Sequence, residues 1–488
     1  MKVLFCVGNV FVNEPSGVMQ LAAIARRDGH EVKLAPLRQK GFPNLLKQWS
    51  PDVLAYSAMS CEIPMFKVAD AQARAWAQGR RVLRVMGGPH ATYFPGIVDE
   101  LELDAVCLGE GDRAFPELLR RFECRESLSG IPNILVRGDA PKDLKKELIA
   151  DLDALPFIDR EVYYEAAPPF RALATRGFMT GRGCPYDCSY CHNHVFNEMF
   201  KGCGKTIRKR SVEHVIAEMK EVVSKAPHVR LIRMGDDTFA HTIDEWLISF
   251  LTRYKREINL PFYCLMRSNV LTDEMARLLR DAGCISIGMS VESGNERIRN
   301  TILHRGLTDK EIVDSFANAH RYGLRTYGCA LVAIPGAKFS DDFDSFLFTK
   351  KLRMTVPAFS IFSPYAKTRL CEYALAHGDL PPDFEFDHHA SRESALLSFS
   401  PLEKRMQVNL MYMGTLLCDL PDSWSPFIKL LLRLPLTFAY KYIGLIYQFL
   451  KIGIFVFPGV YPKNPLTRCY LLWRCFQYLA VPKRPRSS

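Results

Sequence analysis

The feature that most constrains the fold is a rhythm that runs along the chain twice. Apolar runs of four to ten residues alternate with stretches of helical periodicity. In the first pass the runs are 2–8, 32–36, 53–57, 81–86 and 105–108, and the helical stretches include 18–27 and 66–77. This order predicts an α/β domain over residues 1–127, a doubly wound, Rossmann-like parallel sheet that takes its ligand at the carboxyl ends of the strands. Those ends are small or polar: Tyr56-Ser57-Ala58-Met59-Ser60, Gly87-Gly88-Pro89-His90 and Gly109-Glu110-Gly111. Glycine there lets a large ligand approach the backbone closely. A dinucleotide would ask for GxGxxG after the first strand, and Gly8-Asn9-Val10 does not fit it.

The second pass has strand candidates at 171–175, 229–233, 262–266, 284–289, 325–334 and 358–362. Val212, Val215, Ile216, Met219 and Val222 make one apolar helical face between them, and Met275, Leu278 and Leu279 begin another. Six such units over 171–370 predict a partial (βα)6 barrel of the TIM type, with its chemistry at the C-terminal face of the strands. The proline-bearing stretch 128–170, with Asp151 and Asp153 in it, reads as a linker with one or two small strands of its own. After Cys371 the pattern is helical to about 426, and 427–488 is a basic apolar tail. With 48% apolar and 24% charged residues, the chain has globular composition and ample core for these domains.

Fifteen cysteines in 488 residues are too sparse for a disulfide-stapled secreted scaffold. The opening MKVLFCVG holds a six-residue apolar run, the length of a strand rather than of a signal segment. A reducing cytoplasm is therefore expected, where clustered cysteines point to metal or redox chemistry. One cluster stands out: RGCPYDCSYCHN places Cys184, Cys188 and Cys191 in a CxxxCxxC pattern. Three thiolates so close together can hold three corners of a four-iron cluster and leave the fourth iron open. A zinc site would need a fourth ligand, for which His192 is badly placed and Cys203 possible. Three core cysteines are the plainest alternative. Cys418, Cys469 and Cys475 are scattered and suggest no auxiliary cluster.

RGCPYDCSYC, with Tyr190 before its last cysteine, closely resembles the signature of the radical S-adenosylmethionine (SAM) enzymes, and the resemblance extends along the barrel. Met234-Gly235-Asp236-Asp237-Thr238-Phe239 resembles the second-strand segment that helps hold the SAM amino group. Cys264 to Arg267 and Gly288 to Gly294, with Ser290 and Glu292, resemble the elements that meet the SAM carboxylate and ribose. Ile334-Pro335-Gly336 resembles the fifth-strand turn, although Ala333 and Ala337 stand where Gly and Glu are more usual. Taken singly, Asp236 and Asp237 could cap a helix, and Arg267 and Glu292 could form an ion pair across the barrel. The resemblance implies a [4Fe-4S] cluster that binds SAM and cleaves it with one electron from a flavodoxin- or ferredoxin-type donor. The 5′-deoxyadenosyl radical so formed takes hydrogen from an unactivated carbon.

Residues 85–92 and 106–111 are similar to the cobalamin-binding domain that precedes the barrel in one large radical SAM subgroup. The cobalt-ligating pattern DxHxxG is absent, which implies that no histidine of that motif reaches the metal. His90 then lines the corrin pocket or caps a turn, beside Ser57, Ser60, Gly87, Gly88 and Gly109.

Charge separates the tail from the rest. Residues 427–488 carry ten Lys and Arg and no Asp or Glu, so the net charge of +11 leaves the first 426 residues with 54 basic against 53 acidic. The near-neutral body offers no groove for nucleic acid. Cations interrupting an apolar segment fit a membrane interface instead, since the longest uncharged stretch, about eleven residues, is short of the ~20 needed to span a bilayer. A helical subdomain packed on the barrel is the alternative. The resemblance implies a cobalamin-dependent radical SAM methyltransferase, and the tail adds the expectation that it is peripheral on the cytoplasmic face of the membrane and acts on a hydrophobic, lipid- or isoprenoid-like substrate. Radical rearrangement or tetrapyrrole-type oxidative cyclisation is the alternative within enzymes, and a non-catalytic cobalamin- or lipid-binding protein the alternative outside them.

Overall fold

The computed structural model describes residues 1–9, 14–38, 41–384, 392–459 and 465. The chain divides into two compact units, one built mainly from 1–174 and the other from 175–201 and 206–460.

The first unit holds β1 (Lys2–Val7), β2 (Glu31–Pro36), β3 (Val53–Ser57), β4 (Leu83–Gly87), β5 (Ala105–Cys107) and β6 (Ile134–Val136) in the order β2-β1-β3-β4-β5-β6. The first five are parallel and β6 is an antiparallel edge. Order reverses between β1 and β3, the crevice where open α/β sheets bind ligands. The register sets Val7 level with Ser57 and Ser57 level with Gly87, so three strands end on one line. Phe66, Leu46 and Leu54 fill the core beneath, each fully buried apolar side chain worth about 2 kcal/mol. Tyr56 and Arg84 both hydrogen-bond the buried Asp70 carboxylate, which satisfies the charge inside that core.

The expected linker behaves differently from a tether. Its single strand, β6, extends the first sheet instead of pairing within the linker, and buries Ile134 and Leu135 there. Further along, Pro156 O accepts from Gln20 Nε2 at 2.8 Å and Asp159 N–H donates to Met19 O at 3.0 Å.

The second unit holds β7 (Thr175–Phe178), the small antiparallel pair β8 (Gly181–Arg182) and β9 (Arg208–Lys209), then β10 (Leu231–Met234), β11 (Phe262–Leu265), β12 (Cys284–Gly288), β13 (Arg325–Val332) and β14 (Val356–Ile361). Six of these form one all-parallel sheet, β14-β13-β12-β11-β10-β7, the partial barrel that the alternation predicts. Its first strand lies later than the 171–175 expected, because Pro168–Arg171 forms a helical turn and the strand begins at Thr175. Between strands the helices start on side-chain caps, Ser211, Asp244, Thr272 and Thr308, each of which accepts from a backbone N–H of the first turn. Val215, Ile216 and Met219 face the sheet as their spacing requires.

Beyond β14 come helices Arg369–Ala376, Pro401–Asp419, Ser425–Arg433 and Thr437–Lys451. Their inner faces join a second core with β13 and β14. No helix among the described residues is long and apolar enough to cross a membrane. Of the basic tail, residues 460–464 and 466–488, with Cys469 and Cys475, lie outside the described residues.

Candidate active site

The CxxxCxxC loop follows β8 at the C-terminal side of the barrel sheet. Gly183 opens it at φ +89°, and a Cβ there would come within 2.3 Å of Thr206 O, so only glycine fits. Cys188 is buried, Cys184 and Cys191 are half-buried, and Cys191 stands at the N-cap of helix His192–Met199. Protein contacts hold the loop at several points. Asn197 Nδ2 donates to Cys184 O at 3.1 Å, and Ser189 donates through Oγ to Ile302 O and through N–H to Leu303 O. His194 Nε2 accepts from Arg369 N–H, which leaves its proton on Nδ1 for Cys188 O at 3.0 Å. Arg369 also pairs with Asp187. Burial pushes the Cys191 thiol up to about 11 and raises Cys184. Such thiols become thiolates when a metal takes the place of the proton.

Behind this loop lies a buried polar group that sequence reasoning missed in part. Tyr190 donates from its hydroxyl to Glu292 Oε1 at 3.0 Å and accepts from Arg305 Nη1 at 3.0 Å. The same Nη1 lies 3.8 Å from Cys188 Sγ, Nη2 donates to Ser290 O at 3.0 Å, and the guanidinium is 4.0 Å from Glu292. Arg305 therefore takes the place across from Glu292 for which Arg267 was a candidate. No motif marks Arg305. The available signal is a cation, His304-Arg305-Gly306, just past the π-helical turn Ile298–Ile302. Glu292 itself sits at φ +64°, its carboxyl raised by burial against the opposing pull of Arg305. Tyr190 is raised well above its ordinary value by burial and by that carboxylate.

The β10 end carries Gly235, Asp236 and Asp237. Gly235 N–H donates to Phe178 O, tying the turn to β7. Asp236 Oδ1 accepts from both N–H and Oγ1 of Thr180, with Lys209 4.0 Å away, while its buried Oδ2 has no partner. Half of this carboxylate thus fastens the strand ends and half is left over. Asp237 accepts from Asn193, and burial raises both carboxyls. Arg267, after β11, stacks 3.9 Å from the Tyr186 ring centroid, and its buried Nε is likewise unpartnered. Ser290 Oγ accepts from Cys329 N–H at 3.4 Å.

In the first unit, Ser60 Oγ and His90 Nδ1 are 3.1 Å apart, and the His90 ring stacks on Phe94. Burial lowers His90. Thr92 Oγ1 donates to Gly88 O and accepts from Gly109 N–H, so one hydroxyl joins two glycine turns. At Gly88, φ is +85° and a Cβ would stand 3.1 Å from Ser57 Oγ and from Ala58 N. The Glu62 carboxyl lies over Gly8 at the end of β1, where any Cβ would collide with it, and accepts from Met59 N–H. Glu62 also escaped sequence reasoning, since nothing in its spacing sets it apart.

These observations fit the cofactors the sequence implies. An open loop of three thiols has a guanidinium aimed at one of them, buried polar atoms on Asp236 and Arg267 await partners, and glycine-lined strand ends border the switch-point crevice. No group of three or more His, Cys, Asp or Glu among the described residues is drawn together around one metal ion.

Comparison with known proteins agrees. Residues 178–345 match the radical SAM superfamily, and residues 6–119 match the B12 binding domain. An uncharacterized methyltransferase of Pyrococcus horikoshii is 28% identical over 378 residues, 74% of this chain and 79% of that protein. The hopanoid C-3 methylase of Methylococcus capsulatus is 26% identical over 231 residues, 45% of this chain and 42% of that one. Among solved structures, the radical SAM methyltransferase TsrM from Kitasatospora setae, with cobalamin and a [4Fe-4S] cluster bound, superposes with a TM-score of 0.63 at 17% identity, covering 77% of this chain and 78% of its own. The chain belongs to the cobalamin-binding radical SAM enzymes, whose cofactors are a [4Fe-4S] cluster, SAM and cobalamin. Within them it is of the methyltransferase type.

Proposed function

We propose that this protein methylates an unactivated carbon of a hydrophobic, lipid- or isoprenoid-like substrate, working at the cytoplasmic face of a membrane with electrons from a flavodoxin- or ferredoxin-type donor. When bound, the cluster and SAM supply a hydrogen-abstracting 5′-deoxyadenosyl radical and cobalamin supplies the methyl group. Each turnover replaces one substrate hydrogen by methyl, takes up two electrons and converts two SAM, one to methionine and 5′-deoxyadenosine and one to S-adenosylhomocysteine.

The chain's own residues orient and shield. Cys184, Cys188 and Cys191 would hold three irons of the cluster, and Tyr190 packs the loop against Glu292 and Arg305. Asp236 Oδ2 and Asp237 would take the SAM amino group and the Arg267 cation its carboxylate, with Gly235, Ser290 and Glu292 offered to its remaining polar edge. Ser57, Ser60, Gly87, Gly88 and Gly109 would border the corrin, with His90, held at Nδ1 by Ser60, lining it. The observation that carries this reading is the buried Tyr190–Glu292–Arg305 group directly behind the CxxxCxxC loop. The hydrophobic substrate draws on the basic apolar C-terminal region and on the similarity to a hopanoid methylase.

Purification without oxygen from cells supplied with cobalamin tests it, with corrinoid and iron counted per chain. About one corrinoid with about four irons is expected. Methyl-deuterated SAM then labels a hydrophobic acceptor by one CD3. Iron without corrinoid would overturn the methyl-transfer reading and leave the barrel chemistry intact.

A further inference from the structure

The C-terminal helices carry an apolar surface that the barrel does not use. Helix Ser425–Arg433 buries Ile428 and Leu432 completely, yet exposes Phe427 and Leu430, one turn apart. Helix Thr437–Lys451 lies on helix Pro401–Asp419 through Gly444, where a Cβ would come within 1.9 Å of Tyr412 O. Its outer side then exposes Phe438, Ile446 and Leu450, and Ile454 follows four residues on. Phe438 is 77% exposed. An apolar stripe this long on a single-unit surface marks an interaction site.

This surface is firmly held, not a frayed end. Asn409 Nδ2 donates to Leu432 O and Leu434 O, and Asn409 Oδ1 accepts from Thr437. Tyr440 donates to Leu431 O, and Tyr447 and Lys451 both bond Asp419. Val456 O accepts from Ser286 Oγ at the foot of the barrel. Whatever binds the stripe meets a preformed platform.

Charge identifies the occupant. From 425 to 459 every ionised side chain is a cation: Lys429, Arg433, Lys441 and Lys451. The nearest acids, Asp419 and Asp422, are each paired to a lysine, Lys451 and Lys350. In a two-fold dimer this patch would meet itself, cation against cation. A layer with an apolar interior and an anionic rim complements it on both counts.

We propose that the hairpin of helices Ser425–Arg433 and Thr437–Lys451 docks on an anionic bilayer, with Phe427, Leu430, Phe438, Ile446, Leu450 and Ile454 entering the acyl boundary and Arg433 and Lys441 engaging lipid phosphates. This deepens the proposed function, since it names the surface where a hydrophobic substrate is met. Its readout is separate from catalysis.

Full-length protein is centrifuged with vesicles of phosphatidylcholine alone, or of phosphatidylcholine with phosphatidylglycerol, at low and high salt. It is expected to sediment with the anionic vesicles and to be released by salt. Phe438→Glu with Ile446→Glu should weaken binding by about ten-fold or more, because two anchors are lost. Arg433→Gln with Lys441→Gln should leave residual binding but remove the anionic preference. Retained iron content and thermal midpoint establish that the variants are folded, which exposed positions allow. Equal binding by the Phe438/Ile446 variant overturns the proposal. So does a failure to sediment, whether the protein is then a dimer that these substitutions dissociate or a monomer whose own residues 466–488 cover the stripe. Vesicle binding without corrinoid or SAM cleavage upholds the docking and counts against the methyl-transfer reading alone.

Discussion

The first sheet ends mainly in glycines and hydroxyls, with one carboxyl, Glu62, over β1, and the second in buried charge. In the first unit the strand ends are shaped by Gly88, Gly109 and the single hydroxyl of Thr92, and Asp70, its best-buried carboxylate, lies in the core with its cation and phenol. In the second, Asp236, Glu292 and Arg305 are buried at the strand ends themselves, and three of their polar atoms or neighbours remain unsatisfied or strained. Two parallel sheets thus prepare two sorts of surface. Bare backbone suits a broad, flat ligand held by shape, whereas buried charge suits a small polar ligand held by its own ionic groups.

That contrast can be broken by substitution, and the largest effect falls on the cysteines. Cys188→Ala should reduce iron to background and abolish SAM cleavage while corrinoid remains near one per chain, read by metal analysis and visible absorbance. Loss of both cofactors together would mean that the two units do not bind independently. Arg305→Met comes next. It leaves Glu292 buried without its cation and should cost about 3 kcal/mol in urea denaturation. A loss under about 1 kcal/mol would show that Glu292 is carried by Tyr190 and Ser290 alone.

Gly88→Ala is the matching probe of the first sheet. At φ +85° with Ala58 N and Ser57 Oγ 3.1 Å from the new Cβ, it should cost roughly 1–2 kcal/mol. Corrinoid should be lost and iron kept, the reverse of Cys188→Ala. The smallest effect sharpens the comparison by pH. Burial pushes the Asp342 carboxyl, which accepts from Gln407 Nε2 and Ala333 N–H, up to about 7. A carboxyl raised on folding binds its proton more tightly in the native state, so its contribution to stability declines as pH climbs from about 4 to 7 and stays low above that. Asp342→Asn should flatten this slope and raise stability at pH 8 by about 1 kcal/mol, once the Gln407 amide turns over so that its unpartnered Oε1 accepts from the new amide. An unchanged urea midpoint across pH 4–8 in the parent protein would remove Asp342 from the account.

The strands were legible because burial on both faces writes a continuous apolar run, and β3 was placed to the residue. The first barrel strand was misplaced, since Ala172, Leu173 and Ala174 read as apolar whether in a strand or in the turn before it. The edge strand β6, three residues long, carries too little periodicity to announce its partner. Motif residues were legible as a series of strand ends, Cys184 through Glu292. Arg305 and Glu62 were not, because each acts through a contact over ten or more residues of chain: Arg305 with Cys188, Glu62 with Gly8. Local spacing carries no trace of such contacts.

The many bonds that hold the CxxxCxxC loop have a bearing on how the enzyme matures. Asn197, His194, Ser189 and Leu370 fix the backbone from Cys184 to Cys191 without drawing on any thiol. The backbone part of the chain entropy is therefore spent during folding, before iron arrives, although the three thiols are not drawn together around one ion among the described residues. Cluster insertion then asks the thiols to turn toward one another on a backbone already set, so the iron-free chain should refold and accept its cluster late, from a carrier that reaches the thiols of Cys184 and Cys191.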